Sequence, residues 1–142
     1  MIILKISVKN YIEIFLVGGI LYSIIEILWR GYTHWTMTIT GGVCCVALFY
    51  IFGKIRTMSL LNKCIIGSLV ITVIEFISGC IVNLWFNLNV WDYSNMPLNL
   101  LGQICPLYSE FWAVLTIPVV KSCDYIKKHF VQSNKDLRKT FR

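Results

Sequence analysis

The chain has 142 residues, of which 57% are hydrophobic and only 14% are charged, and its formal net charge is +6. A mean hydropathy of +0.71 excludes an ordinary soluble domain, because so much apolar surface cannot be kept in solution. We therefore expect an integral membrane protein whose main surroundings are the lipid bilayer, with no nucleic-acid partner.

Four apolar stretches are long enough, or nearly so, to cross a hydrocarbon core that needs ~20 helical residues. In chain order they cover 11–29, 36–53, 64–86 and about 100–120. The first follows two lysines, as in a signal peptide, but it ends without a small-residue cleavage site, so we predict that it stays in the mature protein. The predicted fold is an all-α membrane domain of four transmembrane helices, 1–122, followed by a basic cytoplasmic tail, 123–142.

The cations predict the orientation. With four crossings, twelve of the 13 Lys and Arg residues fall on one side, and Arg30 alone falls on the other. The positive-inside rule then places both termini in the cytoplasm, with the protein in the cell membrane. This bias argues against a small exporter that inserts in both orientations.

A carboxylic acid lies inside the third apolar stretch. Glu75 is 11 residues into it, which at ~1.5 Å per residue places it ~16 Å deep, near the midplane. The helical neighbours of Glu75 are mostly small or polar: Gly67, Ser68, Thr72, Ser78, Gly79 and Asn83. We predict that this face points inward. Glu75 should be protonated, face water, or be hydrogen-bonded to a neighbour such as Gln103 or Tyr22, and we assign it a function.

Two further carboxylic acids are candidates. Glu26 precedes Arg30 at i+4, so a structural pair that ends the first helix is one interpretation. The strings SIIE (23–26) and TVIE (72–75) match in residue type and indicate two duplicated helical hairpins, which would bring Glu26 and Glu75 toward a shared centre. Glu110 lies between two prolines of the fourth stretch, which suggests a kinked helix.

The segment 89–108, called the cap segment below, contains no Lys or Arg and is rich in turn-forming and aromatic residues. It connects the third and fourth stretches, so the predicted topology places it outside the cell. Its turn formers can bond to their own backbone, which favours an ordered or re-entrant cap; an ordinary loop with an aromatic belt is the alternative. The candidate cap residues are Trp91, Asp92, Tyr93, Asn95 and Pro97.

The remaining residues indicate packing rather than chemistry. Small residues are dense in the second stretch, which predicts close helix packing. The six cysteines form no CxxC pair, and neither histidine lies near them in the sequence, so we expect no disulfide framework, no metal site and no cofactor. No residue cluster suggests an enzyme.

Three strings carry a resemblance to a known family: LWRGYTHWTM (28–37), VIEFISGCIVNLW (73–85) and NVWDYSNMPLNLLGQICPLYS (89–109). Over residues 11–120 the chain resembles the bacterial family labelled "putative ABC transporter type IV", of the CmpB type, whose members are often named as permeases. By this resemblance, 102–108 matches a Gly-Pro-Tyr-Cys-Pro-Ile-Tyr-like motif from which Gln103 and Ile104 depart. The resemblance also places Glu75 and Asn83 on the polar helix face of the family. It implies a multi-helix membrane fold and the name of the family, and no substrate comes with it.

We therefore predict a permease-like transport component. The polar substrate or ion path would be lined by Glu75, Asn83, Glu26, Glu110 and Gln103. The sequence contains no G-x-x-x-x-G-K-[ST] phosphate loop, so nucleotide hydrolysis would need a separate ATPase subunit, and the small-residue helix faces allow a homo-oligomer. The alternative is a non-transporting membrane scaffold, sensor or lipid-binding subunit.

Overall fold

The structure, a computed structural model, describes the backbone of residues 8–140 and the side chains of residues 8–126. Within these bounds its regular elements are all helices, and an isolated bridge between Leu100 and Ile104 is the extent of its β structure. The helices are α1 (Val8–Arg30), α2 (Trp35–Lys54), α3 (Leu60–Gly79) and α4 (Pro106–Thr140), and a π-helical turn, Cys80–Trp85, continues α3.

Three helices in the described part of the chain are long and apolar enough to cross a membrane: α1, α2, and α3 with its π-helical turn. The prediction of four such helices is therefore corrected to three. The fourth predicted stretch begins with residues that are not helical, because Leu101 and Gly102 have positive φ angles of 53° and 68°. Helix α4 starts only at Pro106, and proline suits this position because the first N–H of a helix has no partner within the helix. The first turns of α4 also carry Ser109 and Glu110, which lower its hydropathy.

Helix α4 nevertheless packs along α3 and occupies the fourth position of a bundle. It continues without a break to Thr140, so the predicted tail is helical as far as this residue. Residues 141 and 142 lie outside the described part.

Helices α1 and α2 form a close hairpin. The backbone of Gly18 lies against Cys45, that of Gly41 against the side chain of Tyr22, and that of Gly19 against Thr38. A side chain at any of these glycines would collide with the facing helix, so small residues set the distance between the two axes. The predicted close packing of the second stretch is confirmed.

Two buried clusters organise the molecule. The larger lies among α2, α3 and α4 and is built from Cys44, Leu48, Phe49, Phe52, Ile71, Trp112, Val120 and Cys123. The smaller joins α2 and the π-helical turn to the cap segment through Met37, Val82, Val90 and Trp91. The cap segment thus has a core of its own, and this core holds it against the helix ends.

Candidate functional site

Glu75 is the most buried carboxylic acid of the described residues, with 3% of its surface exposed. Tyr93 Oη donates to Glu75 Oε1 at 3.1 Å, and Trp112 Nε1 donates to Glu75 Oε2 at 2.8 Å. One carboxyl group on α3 therefore bonds to the cap segment and to α4 at once. None of the ion pairs that residues 8–126 form involves Glu75.

The partners of Glu75 differ from those that the sequence suggested. The sequence suggested Gln103 or Tyr22 as a hydrogen-bond partner of Glu75. Gln103 bonds to Asn83 instead, and the Tyr22 ring packs on the Trp112 ring with 5.8 Å between centroids. The indole of Trp112 was missed, because donors that meet across two helices leave no pattern in the sequence.

The polar face of α3 places Glu75 against α4. Ser68 Oγ donates to the carbonyl oxygen of Ser109, and the hydroxyls of Thr72 and Ser109 lie 2.9 Å apart. The opposite face is apolar and more than half exposed at Leu69 and Val73. The predicted inward direction of the polar face is confirmed.

Asn83, in the π-helical turn, holds the cap segment. Its Nδ2 donates to the carbonyl oxygen of Trp91 at 3.0 Å and to Gln103 Oε1 at 2.8 Å, while the Val90 N–H donates to Asn83 Oδ1 at 2.7 Å. Trp91 Nε1 in turn donates to the carbonyl oxygen of Gln103 at 3.0 Å. A π-helical turn shifts the direction of the side chains that follow it, and here it points Asn83 at both ends of the cap segment.

The cap segment is ordered by its own turns. The Tyr93 N–H donates to the carbonyl oxygen of Gly102 at 2.7 Å, and the Gly102 N–H donates to Asn99 Oδ1 at 3.0 Å. Asn95 and Pro97 lie exposed in the turn at 94–98. The predicted use of turn formers to satisfy the backbone is confirmed, whereas the exterior location of the segment stays a prediction.

Two acidic groups of the cap segment have shifted pKa values. Hydrogen bonds from the hydroxyl and the backbone N–H of Ser94 hold the pKa of Asp92 below its ordinary value of 3.8. Burial, followed by the charge of Glu75, raises the pKa of the Tyr93 phenol above its ordinary value of 10.0. The Tyr93 hydroxyl therefore keeps its proton and donates a hydrogen bond to Glu75.

Glu26 forms a second polar site at the end of α1. The predicted pair with Arg30 is confirmed, since Arg30 Nη2 donates to Glu26 Oε1. Thr33 Oγ1 also donates to Glu26, and Arg30 Nη1 donates to the carbonyl oxygen of Val90 at 3.0 Å. Arg30 thus ties α1 to the cap segment, a contact across 60 residues that the sequence did not reveal.

The structure brings four of the five predicted path residues to the cap end of the bundle. Glu75, Asn83 and Gln103 are buried there, and Glu26 joins them through Arg30 and Val90. Glu110 is exposed near the start of α4 and forms none of these contacts. No cluster of three His, Cys, Asp or Glu residues able to hold a metal ion occurs among the described residues.

Comparison with known proteins supplies the family. No curated protein matches the chain, and no solved structure matches it. A family model described as "Putative ABC-transporter type IV" matches residues 14–141, which include α1 from Ile14 onward, the whole of α2, α3 and α4, and the cap segment. The chain therefore belongs to this ABC-transporter-related family of membrane proteins.

Proposed function

We propose that the protein is the membrane component of an ABC-type transport system and works with a separate ATPase subunit. Family membership and three helices apolar enough to cross a membrane support this proposal. The 142 residues contain no phosphate loop, so ATP hydrolysis would take place on a partner. The basic side of the bundle, where the charge bias places both termini, is the side on which a cytoplasmic ATPase would dock.

The observation that carries the proposal is the buried Glu75 carboxyl group, which joins α3, α4 and the cap segment. A polar group at this depth is costly and is usually functional. We assign the polar path to Glu75, Asn83, Gln103 and Glu26, and its opening to movement of the cap segment, since the Tyr93 hydrogen bond must break before Glu75 can face water. Glu110 is exposed and would contribute only where a second copy or another subunit covers it.

The test begins with purification. The tagged chain should be isolated from membranes of its own cells, and a nucleotide-binding subunit should co-purify and hydrolyse ATP. Glu75→Gln keeps the volume of the side chain, and both hydrogen bonds can form, because the amide oxygen accepts from Trp112 and the Tyr93 hydroxyl can accept from the amide. We expect this variant to fold and to bind the ATPase, but to lose transport-coupled ATP hydrolysis.

The matched control is Glu110→Gln, which removes an exposed carboxylate from the same region. It should leave hydrolysis unchanged. Absence of any nucleotide-binding partner, or equal hydrolysis by Glu75→Gln and the parent, would contradict the proposal.

A second candidate function is a non-transporting scaffold. It is favoured by the complete internal bonding of Glu75, Asn83 and Gln103, which all have partners within the chain. In a scaffold the network only holds the cap segment in place. Glu75→Gln would then be as stable and as active as the parent, whereas Glu75→Leu would loosen the cap segment.

A further inference from the structure

A long groove separates α1 from α4. At the cap end the two helices meet, because Trp29 packs on Phe111 with 5.7 Å between ring centroids and Tyr22 packs on Trp112. Away from the cap they diverge, and α2 forms the floor between them. The resulting groove has a volume of about 1060 Å³.

The walls of the groove are apolar along most of its length, with Val17, Leu21, Leu115 and Val119 on facing sides. Polar residues of the wall gather at the end remote from the cap, where Lys121 lies on α4 with Asn10 and Glu13 on α1. The charge of Glu13 is offset by Lys9, whose Nζ lies 3.9 Å from its carboxylate. Lys121 is exposed and enters none of the ion pairs formed by residues 8–126.

The dimensions match one leaflet of a bilayer. From Trp112 to Lys121 there are nine residues of α4, or ~14 Å at ~1.5 Å per residue. Half of a hydrocarbon core of ~30 Å is ~15 Å. The part of the groove between Trp112 and Lys121 therefore has about the length of one leaflet, and the lining continues past Lys121 to Ile126.

We propose that this groove binds one acyl chain of an anionic membrane phospholipid, with the phosphate at Lys121. The volume of about 1060 Å³ lies just above the ~300–1,000 Å³ common for small-molecule sites. Anionic lipids are attracted to cations at the cytoplasmic surface. Beyond Lys121 the same helix carries a further run of cations in its sequence, which strengthens this attraction: Lys127, Lys128, Lys135, Arg138 and Lys139. The inference does not depend on the proposed transport function.

The test uses lipid retention by the purified full chain. The protein is mixed in detergent with equal amounts of palmitoyl-oleoyl phosphatidylglycerol and palmitoyl-oleoyl phosphatidylcholine, and retained lipids are counted by native mass spectrometry. We expect one phosphatidylglycerol to be retained in preference to phosphatidylcholine. Equal retention of the two lipids, or no retention, would overturn the proposal.

Neighbouring positions on α1 provide a matched pair of variants. Val17 and Leu16 are 56% and 55% exposed, but of the two only Val17 lines the groove. Val17→Trp should obstruct the groove and reduce retention, whereas Leu16→Trp should retain the lipid. If Val17→Trp fails to fold, Leu21→Trp with Ile20→Trp as its control replaces the pair, since Leu21 lines the groove and Ile20 does not.

The headgroup is tested separately. Lys121→Gln should lose the preference for phosphatidylglycerol, while Lys54→Gln, at the exposed end of α2 and outside the groove, should keep it. Loss of the preference in both variants, or in neither, would overturn the assignment of Lys121. A lipid-free dimer of the parent chain that Val17→Trp converts to a monomer would instead make a second copy the occupant.

Discussion

Trp112 of α4 donates its indole N–H to the carboxyl group of Glu75 on α3 across 2.8 Å, inside the bundle. The Trp112 ring also packs on Tyr22 of α1. This one side chain therefore links three helices at the place where the carboxyl group is buried.

Trp112→Phe should destabilise the protein, because it leaves a buried carboxyl oxygen without its donor. The expected cost is ~1–3 kcal/mol, in addition to that of the smaller ring. In a Glu75→Leu background the hydrogen-bond contribution is already absent, so the same substitution should cost less. Thermal unfolding of the two single variants and the double variant in detergent measures the coupling. Additive effects would show that this hydrogen bond contributes nothing to stability.

Gly102→Ala should be more damaging than Gly31→Ala. Both glycines have positive φ, 68° and 80°, which costs an alanine ~1–2 kcal/mol. A Cβ at Gly102 would also lie 2.6 Å from Ser94 Oγ and 2.7 Å from Asp92 Oδ1, whereas at Gly31 nothing lies within 4 Å. Overpacking adds ~1–3 kcal/mol at Gly102 alone. Equal unfolding temperatures for the two variants would mean that the turn at Gly102 accommodates the added Cβ without a further loss of stability.

The cap segment should loosen in acid. The folded pKa of Asp92 lies below its ordinary value of 3.8, so its bonds to Ser94 stabilise the turn above pH 3.8. That stabilisation is lost as the pH falls through the folded pKa. Pepsin, which is active in acid, should therefore cut the cap segment faster below pH 3.8. Asp92→Asn cannot titrate, so a similar rise in its cleavage would assign the effect to another group.

Two glutamates of α1 should differ sharply in their contribution to stability. The side chains of Glu26 and Arg30 are 10% and 22% exposed, whereas those of Glu13 and Lys9 are 61% and 83% exposed. Glu26→Gln leaves a partly buried guanidinium without its charge partner, which costs up to ~3–5 kcal/mol. Glu13→Gln should stay within ~1 kcal/mol. Unfolding temperatures in detergent compare the two, and similar losses would contradict this account.

The proposed orientation is tested by labelling. In a cysteine-free parent, single cysteines at Ser94 and Ser133 should react from opposite sides of the membrane, with position 133 on the cytoplasmic side. The result bears directly on α4, whose hydropathy falls short of the three other helices. Labelling of both positions from the same side would show that α4 does not cross.

Hydropathy predicted the first three helices to within a few residues at each end, because a run of apolar residues is a local property. It failed for the fourth, where Leu101 and Gly102 interrupt the chain and Pro106 starts the helix. Helical spacing also predicted which face of α3 is buried. The partners of Glu75 could not be predicted, since Tyr93 and Trp112 lie 18 and 37 residues away and meet it only in the folded chain.

The cap segment makes one end of the bundle stiffer than the other. Through Arg30, Asn83 and Tyr93 it is bonded to α1, to the end of α3, and to Glu75. At the far end, Lys63 and Asp124 hold α3 to α4 with 3.7 Å between charged atoms, while α1 stands apart from α4. Any large movement of α1 should therefore be a swing about its capped end, with the widest travel at the end that faces Lys121.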